Sequence, residues 1–214
     1  MLTMTRNILS VFLLFYYRLI LPSKNVILIG KETILFARFK IKGINNSMSF
    51  GSACTLRHTN IEISGSNNKI HFANNVKVYE NLKILIESSN CIINIENDVT
   101  IGSAKIQLGE KETKVSIGAD CMLSRDITIN TSDFHSMIDL NQNVRINPPK
   151  NVKIGNHVWI GNGVYINKGA FINDDSIVAA KSVVPGKHFE KNSLIGGVPA
   201  KLIKSDVTWD RKII

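Results

Sequence analysis

Aliphatic residues recur every six positions along much of the chain, and the pattern is plainest between residues 152 and 184. The repeating positions are Ile154, Ile160, Ile166, Ile172, Val178 and Val184. A helix repeats every 3.6 residues and a strand every two, so neither alone produces a period of six. The residues two places earlier are small or β-branched, and side chains two apart on a strand point the same way. Each hexad therefore predicts a short strand with two inward residues, followed by a corner.

The predicted corners are marked by Gly155, Gly161, Asn167 and Asn173, which directly follow the aliphatic positions. Glycine and asparagine accept left-handed backbone angles more readily than other residues, so we expect these four to turn the chain. A strand that turns the same way every six residues winds into a coil, and three corners close a triangle. The pattern predicts an all-β fold, a triangular solenoid of short parallel strands.

The same rule extends back to residue 29, in groups that restart every 21 to 23 residues. Each group amounts to three hexads plus a few residues that bulge at one corner. The earlier inward positions are Ile29, Leu35, Ile41, Phe50, Leu56, Phe72, Val78, Ile84, Ile95, Ile101, Ile117, Leu123 and Ile129. Cys54 and Cys121 fall on the inward position two residues before one of these, so both are predicted to be small core residues rather than reactive thiols.

The hexads stop after Ile129 and resume at Val152. A polar stretch of this length is unusual inside a regular solenoid, and long loops on rigid scaffolds often carry function. The stretch contains His135, whose side chain exchanges a proton near neutral pH. A loop histidine taken by itself is more often only a solvated residue.

The N-terminal residues 8–21 are apolar almost throughout and are followed by Pro22. Fourteen residues interrupted by Arg18 are too few for a transmembrane helix, which needs about 20. A signal peptide would also need a small-residue cleavage site, and none follows. We therefore expect an apolar helix within residues 1–24, which packs on the body of the protein or on another subunit, or rests on the inner face of the membrane.

The charge balance favours an anionic partner, because the net charge is +9 and the pI is near 9.5. The lysines are scattered and no arginine-rich or aromatic RNA-binding signature is present, which argues against nucleic acid. The three cysteines have no zinc-site spacing. Since two of them fall in the core register, the sequence indicates a reducing, cytoplasmic setting.

Two stretches resemble the hexapeptide-repeat acyltransferases, and in particular their sugar and polysaccharide O-acetyltransferases. They are IGADCMLSRDITINTSDFH followed by PPKNVKIGNHVWIG, and the C-terminal SIVAAKSVVPGKHFEKNSLIGGVPAKLIK. The resemblance covers about residues 25–204. It implies a left-handed parallel β-helix over 25–195 with a catalytic loop at 130–151, and a C-terminal tail at 196–214. It also implies a homotrimer with active sites between subunits.

The resemblance assigns the role of general base to His135, because the family places a histidine in this loop. Trp159 would lie beside the thioester of the donor, or would pack as an outward residue on an adjacent subunit. Asp133 is a candidate to orient His135, although a backbone carbonyl would serve as well. We expect direct attack in a ternary complex, with His135 accepting the hydroxyl proton. Backbone N–H groups between Trp159 and Gly161 are candidate donors to the oxyanion.

The implied co-substrate is acetyl-CoA, held in a groove formed by the last coils and the tail. The residues implied to line this groove are Trp159, Gly161, Ala179, Ala180, Lys187, Lys201 and Lys204. The lysines would lie near the CoA phosphates, but each could equally be a solvated charge on a basic protein. The sequence departs from the family where Lys181 replaces a common glycine and Pro185–Gly186 replace a common Thr-Lys pair.

The γ-class carbonic anhydrases share the fold, but they hold zinc with three histidines, two of them five residues apart. Here His135 and His157 are 22 apart with no third histidine close by, so we expect no metal, and His157 is expected to be exposed. N-acetyltransfer to an amino-sugar nucleotide and a non-catalytic binding role for the solenoid are the remaining alternatives. The acceptor favoured is a bacterial surface saccharide of a capsule, an O-antigen or a precursor. An anionic glycan such as a sialic acid polymer would suit the positive charge.

Overall fold

The computed structural model describes residues 6–12 and 17–214, and their strands wind into a parallel β-solenoid. The strands before the loop are β1 Arg6–Phe12, β2 Tyr17–Leu21, β3 Asn25–Ile29, β4 Ile34–Ile41, β5 Ser47–Phe50, β6 Thr55–Ile63, β7 Lys69–Phe72, β8 Lys77–Ile86, β9 Ile92–Ile95, β10 Thr100–Leu108, β11 Lys114–Ile117, β12 Met122–Leu123 and β13 Ile127–Asn130. The remaining strands are β14 Ile138–Asp139, β15 Val144–Arg145, β16 Val152–Ile154, β17 Trp159–Ile160, β18 Tyr165–Ile166, β19 Phe171–Ile172, β20 Ile177–Val178, β21 Val183–Val184, β22 His188–Phe189, β23 Leu194–Gly197 and β24 Ala200–Lys204.

The strands form three faces. The first face holds the N-terminal halves of β4, β6, β8 and β10, followed by β12, β17, β20 and β23. The second face holds the C-terminal halves of the same long strands, followed by β13, β18 and β21. The third face holds β3, β5, β7, β9, β11, β16, β19 and β22. We name the edges the first corner (first to second face), the second corner (second to third) and the third corner (third to first).

The core runs along the axis of the solenoid and is built from the hexad positions. Each aliphatic position from Ile154 to Val184 is buried, and so are the earlier positions apart from Ile41, which is partly buried against the core. Cys54 and Cys121 are also fully buried, as predicted, and burial raises the pKa of the Cys121 thiol to about 12. The sequence pattern thus identified both the fold class and its core.

The corners differ from the prediction in one respect. The left-handed residue stands three places after the aliphatic position, as at His157, Gly163 and Asp175, whereas Gly155 and Gly161 do not have positive φ. Glycine is needed at 155 and 161 because the next coil approaches closely. A Cβ at Gly161 would lie 2.6 Å from the amide nitrogen of Ala180, and one at Gly155 would lie 2.7 Å from the amide nitrogen of Asp174.

The N-terminal helix expected within residues 1–24 is not seen. In the part of this segment that the structure describes, β1 pairs antiparallel with β4 and β2 pairs antiparallel with β3. The strands β3 and β4 belong to the first coil, whose open edge would otherwise leave a row of backbone groups unpaired. Satisfying those groups favours strands over a short apolar helix. Residues 1–5 and 13–16 lie outside the described residues.

The only helical segment among the described residues is the 3-10 turn Pro22–Lys24. Within that part of the chain, no helix is both long and apolar enough to cross a membrane. At the other end, β24 pairs antiparallel with β23, and the tail then returns along the third corner, where Val207, Trp209 and Arg211 contact successive coils. Trp209 donates a hydrogen bond from Nε1 to the His157 carbonyl at 2.8 Å, which fixes the tail to the solenoid.

Candidate active site

The interruption of the hexads forms a loop at the second corner. It leaves the second face at the end of β13, makes the short hairpin β14–β15, and enters the third face at β16. Phe134 has a left-handed backbone (φ 62°), and its ring lies where a Cβ on Gly109 would stand. The loop is therefore seated on the preceding coil, and glycine at 109 is required for that contact.

His135 is held by its backbone, while its imidazole is left open. Asn147 donates from Nδ2 to the His135 carbonyl at 2.8 Å, and the Met137 N–H donates to Asn147 Oδ1 at 2.7 Å. The His135 side chain is exposed and has no hydrogen-bond or ion-pair partner within residues 6–12 and 17–214. A fixed backbone with a free ring suits a group that must exchange a proton with a bound substrate.

The Asp133 carboxylate is engaged by two other groups. Its Oδ2 lies 2.5 Å from Lys168 Nζ and accepts a hydrogen bond from Asn147 Nδ2 at 2.8 Å. The hydrogen bond from Lys168 lowers the pKa of Asp133, and that from Asn147 acts in the same direction. The described contacts include none between Asp133 and the His135 ring. The orienting role of Asp133 stays a prediction, and its carboxylate anchors the loop in this structure.

A second ion pair fixes the far side of the loop. Arg145 donates to both Glu110 oxygens, at 2.6 and 2.7 Å, and Ser132 donates to the same carboxylate. These contacts, with that from Arg145 first, lower the pKa of Glu110 to about 2. Lys168 also donates to the backbone carbonyls of Asn147 and Pro148. The loop is thus tied to the coils below and above it.

Trp159 lies on the first face, in register with Met122 and Ile177. Its ring is partly exposed, and the centroid lies 6.2 Å from that of Trp209 in the tail. His135 is carried by the second corner, so within one chain it has no contact with Trp159.

Four of the predicted donor-site residues come together at the first corner. Gly161, Ala179 and Ala180 stack on successive coils, and Lys201 on β24 pairs with Gly196 beside them. Lys204 is exposed and pairs with Leu194 on the first face. Lys187 is not part of this group, because it lies at the second corner with Nζ 4.8 Å from the Phe189 ring centre.

Backbone hydrogen bonds decide which amides at the first corner could bind a ligand. The Trp159 and Gly161 N–H groups donate to the Ser176 and Val178 carbonyls at 2.9 and 2.8 Å, so these predicted oxyanion donors are already used. Along the described chain, the Ala180 N–H has no acceptor. It is therefore the better candidate donor at this corner.

Comparison with known proteins identifies the family. The chain is 37% identical over 172 residues to a polysialic acid O-acetyltransferase of Neisseria meningitidis, covering 80% of this chain and 78% of that protein. The chain belongs to the hexapeptide-repeat acyltransferase family. It matches the solved polysialic acid O-acetyltransferase OatWY with a TM-score of 0.76 at 34% identity, over 83% of each chain. The solved polySia-specific acetyltransferase NeuO gives 0.68 at 29% identity, over 88% of this chain and 79% of that one.

A polysialic acid O-acetyltransferase of Escherichia coli O1:K1 / APEC is also similar, at 34% identity over 64% of this chain and 45% of that protein. No family model matches the chain. Membership of the hexapeptide-repeat acyltransferase family confirms the left-handed parallel β-helix and the O-acetyltransferase activity that the sequence predicted. Among the described residues, no group of three His, Cys, Asp or Glu side chains gathers as a metal site, and the absence of a metal stays a prediction.

Sequence reasoning missed the residues that build the loop of this acyltransferase: Glu110, Arg145, Asn147 and Lys168. Two of them could have been found by counting from the six-residue repeat, which shows where each corner falls. Glu110 and Lys168 occupy the second corner on the coils just below and just above the loop. Asn147 and Arg145 lie within the loop, where no period applies.

Proposed function

We propose that the chain transfers an acetyl group from acetyl-CoA to a hydroxyl of polysialic acid, an anionic bacterial capsule polysaccharide. The observation that carries this proposal is the similarity to the Neisseria meningitidis polysialic acid O-acetyltransferase over four fifths of the chain. The net charge of +9 supports an anionic acceptor. The stacked first corner supports a donor site, and its free Ala180 N–H supports binding of the thioester oxygen there.

In the proposed reaction, the acceptor hydroxyl oxygen attacks the thioester carbonyl while His135 takes the hydroxyl proton. General-base catalysis of this kind contributes about 10²- to 10⁴-fold. The carbonyl electrons move onto oxygen, and a backbone N–H such as that of Ala180 stabilises the oxyanion. The intermediate collapses, the carbon–sulfur bond breaks, and the CoA sulfur leaves with the proton that His135 returns. Each acetyl group transferred yields one O-acetyl sugar and one free CoA.

The site is proposed to lie between subunits of a homotrimer. His135 stands at the second corner, whereas Trp159 and the donor residues lie on the first face and at the first corner. The hairpin also exposes apolar side chains, among them Met137, Leu140 and Ile146, that a neighbouring copy would cover. Mixing His135→Ala chains with Trp159→Ala chains should restore part of the activity if the site is shared. Active wild-type protein that is monomeric by light scattering would contradict a shared site.

The proposed location is the cytoplasm. The three cysteines are unpaired and buried, which suits a reducing compartment. Cell fractionation tests this: we expect the protein in the soluble or peripheral membrane fraction. Release of the protein with the periplasmic contents would contradict the proposal.

The acceptor is tested with purified protein, acetyl-CoA and a panel of polysialic acid, neutral polysaccharide, free sialic acid and an amino-sugar nucleotide. We expect CoA release above background with polysialic acid, together with an alkali-labile O-acetyl group on the product. Turnover of the amino-sugar nucleotide alone, giving an alkali-stable amide, would replace this proposal with N-acetyltransfer.

A further inference from the structure

The second face carries a column of outward side chains whose polar part ends near the catalytic loop, below Val183. Strand pairing places them in one row across six coils: Arg38, Asn60, Lys83, Lys105, Thr128 and Tyr165. Neighbouring strands lie about 4.8 Å apart, so five steps span about 24 Å. The row therefore offers three cationic groups, Arg38, Lys83 and Lys105, about 10 Å and about 5 Å apart along a straight track.

The charge of this face is strongly one-sided. Its described strands carry four cations, Arg38, Lys40, Lys83 and Lys105, against one acid, Glu62. Glu62 lies 3.5 Å from Lys40 Nζ and 3.9 Å from Lys83 Nζ, so it offsets one charge and leaves an excess. Lys105 is exposed and has no ion-pair partner within the part of the chain that the structure describes. This surplus suits a ligand with repeated negative charges.

Beside Tyr165, at the loop end of the row, lies a buried side chain with an unsatisfied hydrogen-bond acceptor. Asn130 is 7% exposed, and its Nδ2 donates to the Tyr165 hydroxyl. Its Oδ1 has no hydrogen-bond partner among the described residues, which is unusual for a buried polar atom. Asn130 ends β13 and precedes His135 by five residues. The Tyr165 hydroxyl accepts from Asn130 and is partly exposed, so its own proton is available to a sugar bound at this end of the row.

The bottom of the row opens into a cavity of about 470 Å³ at the first corner. Arg38 and Asn60 belong to both the row and the cavity, and Arg57 and His58 line its other side. The track therefore has Arg38 and Asn60 at the end away from the loop and the Tyr165 hydroxyl at the end beside the loop. Lys83 and Lys105 lie between them.

We propose that the second face binds a run of the anionic polysaccharide and guides its hydroxyls to His135. This inference rests on the proposed function for the identity of the polymer. The chain would lie across the coils from the Arg38 cavity to Tyr165, with its carboxylates beside the cations. Only a polymer of about 24 Å or more could occupy the whole track, so we expect affinity to rise with chain length up to that span.

The first face does not offer such a track. On that face, strand pairing places four outward residues in a row above Thr100, and all four are apolar: Met122, Trp159, Ile177 and Leu194. The third face provides a matched control, because Lys69 and Lys114 stand in one row there, separated by Ile92. Removing either lysine pair lowers the net charge by the same amount.

The test compares Lys83→Gln/Lys105→Gln with Lys69→Gln/Lys114→Gln, both in the full chain. Binding of end-labelled polysialic acid of defined length is measured by fluorescence anisotropy without acetyl-CoA, at low and moderate salt. The second-face variant should bind about fivefold to tenfold more weakly at low salt, with a smaller salt dependence. The third-face variant should stay within about twofold, because its lysines lie on another face and act on the polymer only through the screened long-range field. Glu62→Gln should bind more tightly, since it frees Lys83.

Steady-state kinetics then separate this inference from the proposed function. The second-face variant should raise KM for long polymer and leave KM for acetyl-CoA unchanged. Equal weakening by both lysine pairs, or weakening only by the third-face pair, would overturn the track. Wild-type protein that does not bind polysialic acid would overturn it as well. If the binding contrast appears but wild-type protein acetylates no polysialic acid, the track stands and the proposed function fails.

Discussion

His135 and His157 lie in two regions that differ in how many contacts they make with the imidazole ring. At the third corner, the His157 ring stacks on Trp209 at 4.5 Å, with Nδ1 3.0 Å from Asp175 Oδ1 and Nε2 3.8 Å from Asp120 Oδ2. In the loop, the His135 ring has no described partner, while its backbone is held by Asn147. A histidine whose nitrogens and ring face are all occupied can only support structure. One with a fixed backbone and a free ring can serve a substrate.

The two regions also differ in how they are built. His157 occupies the regular left-handed position of a corner, with φ of 51°, and the tail partly covers it. It was expected to be exposed, but Trp209 packs against it from 52 residues away in sequence. The loop has no repeat to support it and depends on ion pairs with the coils on either side.

The largest effect should come from replacing each histidine by alanine. His135→Ala should lower kcat by about 10²- to 10⁴-fold, because it removes the general base. His157→Ala should leave kcat within a few-fold and lower the melting temperature, because it removes packing under Trp209. Acetyl transfer and thermal midpoints are measured for both at a temperature at which both are folded. Full activity in the first variant would show that His135 is not the base.

Trp209→Ala should give the next largest effect, on stability. The Trp209 side chain is 7% exposed and fixes the tail, so its loss should cost about 3 kcal/mol. For a chain of this size, that corresponds to a fall of about 6–12 °C in the thermal midpoint. Tyr79→Ala, at an aromatic side chain that is already exposed, is the matched control and should change little. Equal shifts in the two variants would mean that Trp209 contributes no more to stability than an exposed aromatic side chain.

Asn147→Ala should affect the loop and spare the donor site. The change leaves the His135 carbonyl without its donor and the Met137 N–H without its acceptor, and Asp133 keeps only its contact with Lys168. We expect kcat to fall by about 10- to 100-fold through misplacement of His135, with KM for acetyl-CoA unchanged. Because the imidazole itself is untouched, the acid limb of the pH profile should not move. Gln142→Ala in the same hairpin is the control, and a shifted pH profile would argue against a positioning role for Asn147.

The sequence was informative wherever the period of six applied. The inward phase identified residues such as Ile154, Ile166 and Cys121 as core, because a solenoid buries the same two positions of every hexad. The stop after Ile129 identified the loop and His135. The phase also placed Gly155 and Gly161 at corners, although their role is close approach between coils rather than a left-handed turn.

The features that the sequence did not predict depend on contacts between distant segments. The apolar run at residues 8–21 has no period that separates helix from strand, and in its described parts, up to residue 12 and from residue 17, the open edge of the first coil favours strand. Trp209 lies in a tail without a repeat, so its contact with His157 could not be inferred. The Asp133–Lys168 pair joins residues 35 apart, across the loop and one corner. The identity of the acceptor likewise cannot be predicted from the hexads, because they specify only the scaffold that the hexapeptide-repeat acyltransferases share.

The smallest effect expected is on acid stability, and it separates the loop from the rest of the solenoid. The folded-state pKa of Glu110, about 2, lies below its ordinary value of 4.5 because Arg145 binds the carboxylate. The pair therefore stabilises the folded state above about pH 4.5, and this contribution is lost as the pH falls towards 2. Urea midpoints measured from pH 6 to pH 2.5 should fall less steeply in Glu110→Gln than in wild type. Glu112→Gln, two residues on and without an ion pair among the described contacts, should follow the wild-type curve. Identical curves for all three proteins would mean that the Glu110–Arg145 pair does not hold the loop in solution.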